Sequence, residues 1–254
     1  MEIFRKMSFA DSTGDAIPFY HEGKYHIFSL TSPPGTTVYP ERLRTTWSHS
    51  ISDDLVHWQE LPTALYPGEG DEPDASGVWT GSVIYGEGQY HAFYTGYCLT
   101  AEFQQTICHA TSDDGITWTK DIANPVITPM TELYEKLDWR DPYVFYNEED
   151  ENYWILISAR RLDMPVTRRG CIVLYRSKNL KDWTYYGPIY SPGHTNCPEC
   201  PEMYKMGGHW YLSYSRFSEF VNTIYRVSES PFGPWRKPKK DGIGGRRFYA
   251  AKSM

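Results

Sequence analysis

The chain has 254 residues, a formal net charge of −7 and 16% aromatic side chains, with 9 Trp, 21 Tyr and 11 Phe. The acidic balance argues against nucleic acid or an anionic membrane surface as the main partner, and no apolar run reaches the ~20 residues of a membrane-crossing helix. Five Cys, an odd and scattered set, read as reduced thiols of a cytoplasmic protein rather than a disulfide scaffold, and Met1–Lys6 lacks the apolar core of a secretory signal.

Along the chain one unit recurs, and such self-similarity decides the fold. The first unit places an aromatic strand after a Gly turn, Gly23-Lys24-Tyr25-His26-Ile27-Phe28, and then runs from Ser52 to Trp58. The second repeats it as Gly88-Gln89-Tyr90-His91-Ala92-Phe93 with Ser112 to Trp118. The third has Asn152-Tyr153-Trp154-Ile155-Leu156 with Ser177 to Trp183, and the fourth Gly208-His209-Trp210-Tyr211-Leu212 with Ser228 to Trp235. Turn formers such as Asp113-Asp114-Gly115 fill the gaps, and no long stretch keeps a helical period. The pattern predicts an all-β, five-bladed β-propeller with four complete blades. A fifth opens at Arg247-Phe248-Tyr249-Ala250-Ala251, so residues 1–254 read as one propeller domain, truncated toward its C-terminus, with no second domain; the alternative is that this tail closes the first blade of a ring.

Inner strands of a propeller line one channel, so carboxylates at matching points of the repeat converge. Asp15 lies ten positions before Tyr25, Asp141 twelve before Tyr153 and Glu199 eleven before Trp210. The matching place in the second unit is Thr80, within Trp79-Thr80-Gly81-Ser82. Asp11 is a neighbouring acid whose distance from Tyr25 fits less well. Gathered carboxylates are the equipment of glycoside cleavage.

These motifs resemble those of glycoside hydrolase family 32, the β-fructosidases. Trp139-Arg140-Asp141-Pro142 is similar to its Arg-Asp-Pro motif, Glu199-Cys200-Pro201 to Glu-Cys-Pro, and Trp79-Thr80-Gly81-Ser82 to its Trp/Phe-Ser-Gly-Ser motif. The segment from Trp47 to Trp58 resembles the family's Trp-Gly-His-Ala segment. The first motif departs: where the family has Trp-Met-Asn-Asp-Pro-Asn-Gly, this chain has Ser12-Thr13-Gly14-Asp15-Ala16-Ile17-Pro18. The resemblance implies a retaining hydrolase of terminal β-fructosyl linkages acting on carbohydrate without a cofactor. It implies Asp15 as nucleophile, Glu199 as acid/base and Asp141 as transition-state stabiliser. Trp47, Trp79, Thr80, Ser82 and Arg140 are the expected substrate-binding residues.

Cys197-Pro198-Glu199-Cys200 has metal-like spacing, but a lone thiol pair falls short of the four ligands of a closed zinc site, and no metal is expected. Two other readings stay open on residues alone: a family 43-like arabinosidase or xylosidase, and a non-catalytic carbohydrate-binding propeller. The sequence leaves the oligomeric state unset.

Overall fold

The computed structural model describes residues 12–36, 38–218, 220–245 and 248–254. Met1–Lys6, Asp11 and Arg247 lie outside the described residues. The described chain forms four antiparallel sheets, each of four strands in sequence order. The first holds β1 (Thr13–His21), β2 (Lys24–Thr31), β3 (Thr46–Ser52) and β4 (Trp58–Leu65). The second holds β5 (Gly77–Gly86), β6 (Gln89–Tyr97), β7 (Gln105–Ser112) and β8 (Thr119–Lys120). The third is β9 (Tyr134–Asn147), β10 (Asn152–Arg161), β11 (Gly170–Ser177) and β12 (Thr184–Tyr190). The fourth is β13 (Glu199–Met206), β14 (His209–Arg216), β15 (Asn222–Ser228) and β16 (Gly242–Ile243). Four-stranded meanders of this kind are propeller blades.

The recurring Ser-to-Trp spacing is a turn. Ser52 Oγ accepts the N–H of Leu55 (2.9 Å), and Asp54 Oδ1 accepts those of Val56 (2.9 Å) and His57 (2.7 Å). Asp114 and Asn179 repeat this after Ser112 and Ser177. Short polar side chains satisfy the turn's backbone donors in each case, which is why Asp and Asn recur there. Those N–H bonds hold the Asp114 carboxyl down at about 2.

The chain divides into two compact units, Met1–Thr128 and Pro129–Ser253. Each has its own core. In the first, Ile17, Phe28, Trp47, Val78, Ala92 and Tyr94 pack together. In the second, Trp154, Leu156, Leu174, Met203, Leu212 and Tyr214 do so. The expected fifth-blade opening forms no strand among the described residues: Phe248–Ala251 lies against the fourth sheet instead. There Thr223 N–H donates to Phe248 O (2.8 Å), and Ala250 N–H donates to Ser215 Oγ (2.8 Å). No helix among the described residues is long and apolar enough to cross a membrane.

Candidate active site

Every first strand is irregular near its start. In β1 the pairing steps from Gly14–Leu30 to Ala16–Ser29, so Asp15 bulges, at φ +37°. In β9 Arg140 pairs with Ser158 and Tyr143 with Leu156, so Asp141 and Pro142 bulge. In β13 Glu199 pairs with Ser215 and Glu202 with Ser213, so Cys200 and Pro201 bulge. In β5 Val78 pairs with Gly96 and Gly81 with Tyr94, so Trp79 and Thr80 bulge. Proline lacks the ladder donor and is confined within sheets to edges and bulges, which accounts for Pro142 and Pro201. Gly81 allows the β5 distortion by close approach: a Cβ there would lie 2.0 Å from Phe93 O. Bulges re-aim side chains and recur beside active sites.

This register corrects the alignment of the three acids. Asp15, Thr80, Asp141 and Cys200 each fall six residues before the last paired residue of their strand (His21, Gly86, Asn147, Met206). Asp15, Asp141 and Cys200 share positive φ values of 37°, 58° and 48°, a conformation disfavoured for non-glycine residues and concentrated at functional sites. Glu199 stands one place earlier, at the position Arg140 holds in β9. Counting from the aromatic landmark passed over this, because Glu199 lies eleven residues before Trp210 across the same two-residue hairpin that leaves ten for Asp15 and Thr80.

Within the second unit, β9 and β13 pack together and bring the buried Arg140 and Asp141 and the half-buried Glu199 into one cluster. Arg140 Nη2 donates to Glu199 Oε1 (2.7 Å) and to Cys197 Sγ (3.3 Å), while Nη1 donates to Asp138 Oδ1 (2.6 Å). Its Nε lies 3.8 Å from Asp141 Oδ2. Asp141 also accepts the Cys200 N–H (2.9 Å), so the bulge of one strand binds the carboxylate on the bulge of the next. The Tyr249 hydroxyl donates to Glu199 Oε2. Burial alone would weaken the Arg140 charge, but the Cys197 sulfur and the Asp141, Glu199 and Asp138 carboxylates outweigh it and hold the guanidinium well above its ordinary value. Burial drives the Cys197 thiol strongly upward, against the pull of Arg140. For Asp138 burial acts upward too, yet Arg140 and Arg160 win and its carboxyl stays low.

In the first unit the expected binding residues separate into two kinds. Trp79 is half-buried, its ring stacked on Tyr97 at 4.2 Å and its Nε1 donating to Leu43 O (3.0 Å). Trp47 is fully buried, and its Nε1 donates to Trp79 O (2.8 Å). It is therefore a core residue that braces the Trp79 bulge, not a wall open to a sugar. Thr80 and Ser82 are buried as well, and Thr80 Oγ1 has no hydrogen-bond partner in the structure. Sequence reading missed Asp138, Cys197 and Tyr249 as neighbours of the acids. Only the nearness of Asp138 and Cys197 to the quoted motifs hinted at them. Among the described residues no group of three or more His, Cys, Asp or Glu is placed to hold a metal ion.

Comparison with known proteins bears on the family and the fold. The chain is 33% identical to a levanase of Bacillus subtilis over 198 residues, covering 74% of this chain and 26% of the relative. It is 27% identical to a sucrose-6-phosphate hydrolase of Zymomonas mobilis, covering 92% of this chain and 48% of the relative. The chain thus spans half or less of the length of these relatives. Among solved structures, fructan 1-exohydrolase IIa of Cichorium intybus superposes with a TM-score of 0.74 at 25% identity, over 90% of this chain and 44% of that one. Exo-inulinase of Aspergillus awamori does so with a TM-score of 0.71 at 27% identity, over 92% and 51%. The all-β propeller fold is shared with these structures. The profile of the Glycosyl hydrolases family 32 N-terminal domain matches residues 15–239, and the chain belongs to that family.

Proposed function

We propose that the protein hydrolyses terminal β-fructosyl linkages, of the sucrose or fructo-oligosaccharide type, by retaining double displacement. The observation that carries this reading is the Arg140 clamp: one buried guanidinium holds Glu199 at 2.7 Å beside Asp141, on two strands bulged at matching points. Asp15 is the nucleophile and attacks the anomeric carbon. Glu199 protonates the leaving oxygen, then draws the proton from water as the glycosyl-enzyme ester is broken. Asp141 binds ring hydroxyls more tightly as positive charge grows on the sugar, and interactions that strengthen at that moment accelerate the step. Trp79, Thr80, Ser82 and Arg140 complete the sugar site. The names of the relatives, a levanase, a sucrose-6-phosphate hydrolase and an exo-inulinase, support a fructoside as substrate.

The same reading makes residues 1–254 most of a five-bladed domain. It also puts the protein in the cytoplasm, where its five buried cysteines stay reduced. The test is a substrate panel of sucrose, sucrose phosphate, inulin and levan, run on this chain and on a longer form. Hydrolysis that Glu199→Gln abolishes, with azide restoring turnover of an activated aryl fructoside, is the expected result. A fully active Glu199→Gln variant sinks the assignment.

A further inference from the structure

Arg140 is itself held from behind. Asp138 and Arg140 stand two residues apart on β9 and so on one face of the strand. Asp138 Oδ1 accepts from Arg140 Nη1 (2.6 Å), and its Oδ2 accepts from Arg160 Nη1 (2.9 Å) on β10. Arg160 also pairs with Glu135 (2.8 Å), and Glu135 in turn pairs with Arg169. The result is an alternating ladder, Arg169–Glu135–Arg160–Asp138–Arg140, ending on Glu199. Its members are all largely shielded from solvent, the side chains of Asp138 and Arg160 being 21% and 14% exposed. Charges in such a setting are screened far less than surface pairs.

We infer that Asp138 is a positioning residue that, through Arg140, sets how firmly Glu199 holds its proton. The inference rests on the acid/base role proposed above. Asp138 draws Arg140 partly away from Glu199 and adds negative charge nearby, so both effects favour the protonated acid. Arg160 opposes them by neutralising Asp138. Other groups around Glu199 include Tyr249, Cys197 and, through the shared guanidinium, Asp141.

A carboxyl-carbon NMR titration of the full chain tests this without needing turnover, Glu199 being assigned by the signal lost in Glu199→Gln. Asp138→Asn should lower the Glu199 midpoint by roughly one pH unit, and Arg160→Gln should raise it. A merely structural ladder would change the melting temperature and leave both midpoints in place, or move them the same way; either result overturns the inference. If Asp138→Asn does not fold, the upward shift in Arg160→Gln decides alone. Where the protein is active, the basic limb of kcat/KM should move with the midpoint while KM stays constant. The proposed function fails separately, through an active Glu199→Gln variant, and that outcome leaves the titration readable.

Discussion

The two units solve the same sheet differently. In the first, the middle strands carry buried histidine pairs: His26 Nδ1 lies 3.0 Å from His49 Nε2, and His91 Nδ1 lies 2.9 Å from His109 Nε2. Phe28 stacks on His49 at 4.1 Å and Phe93 on His109 at 4.6 Å. The third sheet places Trp154 and Leu174 at the corresponding points, both fully buried. In the second unit charged side chains are buried as well, Arg140, Asp141 and Glu202 near strand starts and Arg226 on β15. A polar group is tolerated inside when it is paired. The first unit pairs rings along its sheets, whereas the second pairs ions across them, at the end where the chemistry is proposed.

Asparagine in place of the two bulged aspartates gives the largest effect expected to sharpen this contrast. Asn adopts positive φ more readily than most residues, so Asp15→Asn and Asp141→Asn should keep the backbone. Turnover should drop by at least about a thousandfold in each. Asp141→Asn should also lower the melting temperature, because it weakens the ion pair with Arg140 and the bond from the Cys200 N–H. An unchanged melting curve for Asp141→Asn would break the comparison.

Next comes the clamp. Arg140→Met removes the cation that three carboxylates share in a buried site and should cost the second unit about 3 kcal/mol. Urea unfolding followed by segment-resolved hydrogen exchange should place that loss in β9–β15, leaving β1–β7 protected. A uniform loss across both units would show that the ion cluster is not specific to the second.

The third expectation concerns acid. Burial, followed by the charge of the neighbouring histidine, lowers His49 to about 3, and burial together with His21 and Lys24 lowers His26. An unfolded histidine titrates near 6.5, so between that value and about 3 the unfolded chain binds more protons than the folded one. The contribution is therefore complete above pH ~6.5 and is lost progressively on acidification, with His49 alone costing about 2 kcal/mol at pH 5. In the second unit both histidines, His194 and His209, are exposed. Amides of β2 and β3 should thus lose exchange protection before those of β10 and β11 as pH falls from 7 to 5. Simultaneous loss would count against the histidine pairs as the cause.

The smallest effect tests what the units share. Ser112→Ala removes the hydroxyl that bonds Asp114 (2.9 Å), and Asn179→Ala removes the acceptor for the Lys181 and Asp182 N–H groups. Each turn should lose about 1 kcal/mol, measured by thermal melting. A large difference between them would mean the repeated turn is not one device used twice.

The repeat was legible in the sequence because turn chemistry is local. Ser, Asp and Asn satisfy backbone donors two or three residues away, and the aromatic strands follow each turn at a fixed step. The motifs around Asp141 and Glu199 were legible for the same reason, since a Pro close after the candidate acid fits a bulge or a sheet edge. Three matters were settled by tertiary packing alone. Glu199 proved to be one residue out of register with Asp15 and Asp141, which the strand pairing decides, since hairpin length and place in the strand both enter the linear count. Trp47 went to the core and Trp79 to the half-buried position, a choice that depends on which neighbouring strand covers each ring. The ladder behind Arg140 joins residues up to 59 positions apart; linear spacing carries no record of which charges a folded sheet will press together in a place that water screens poorly.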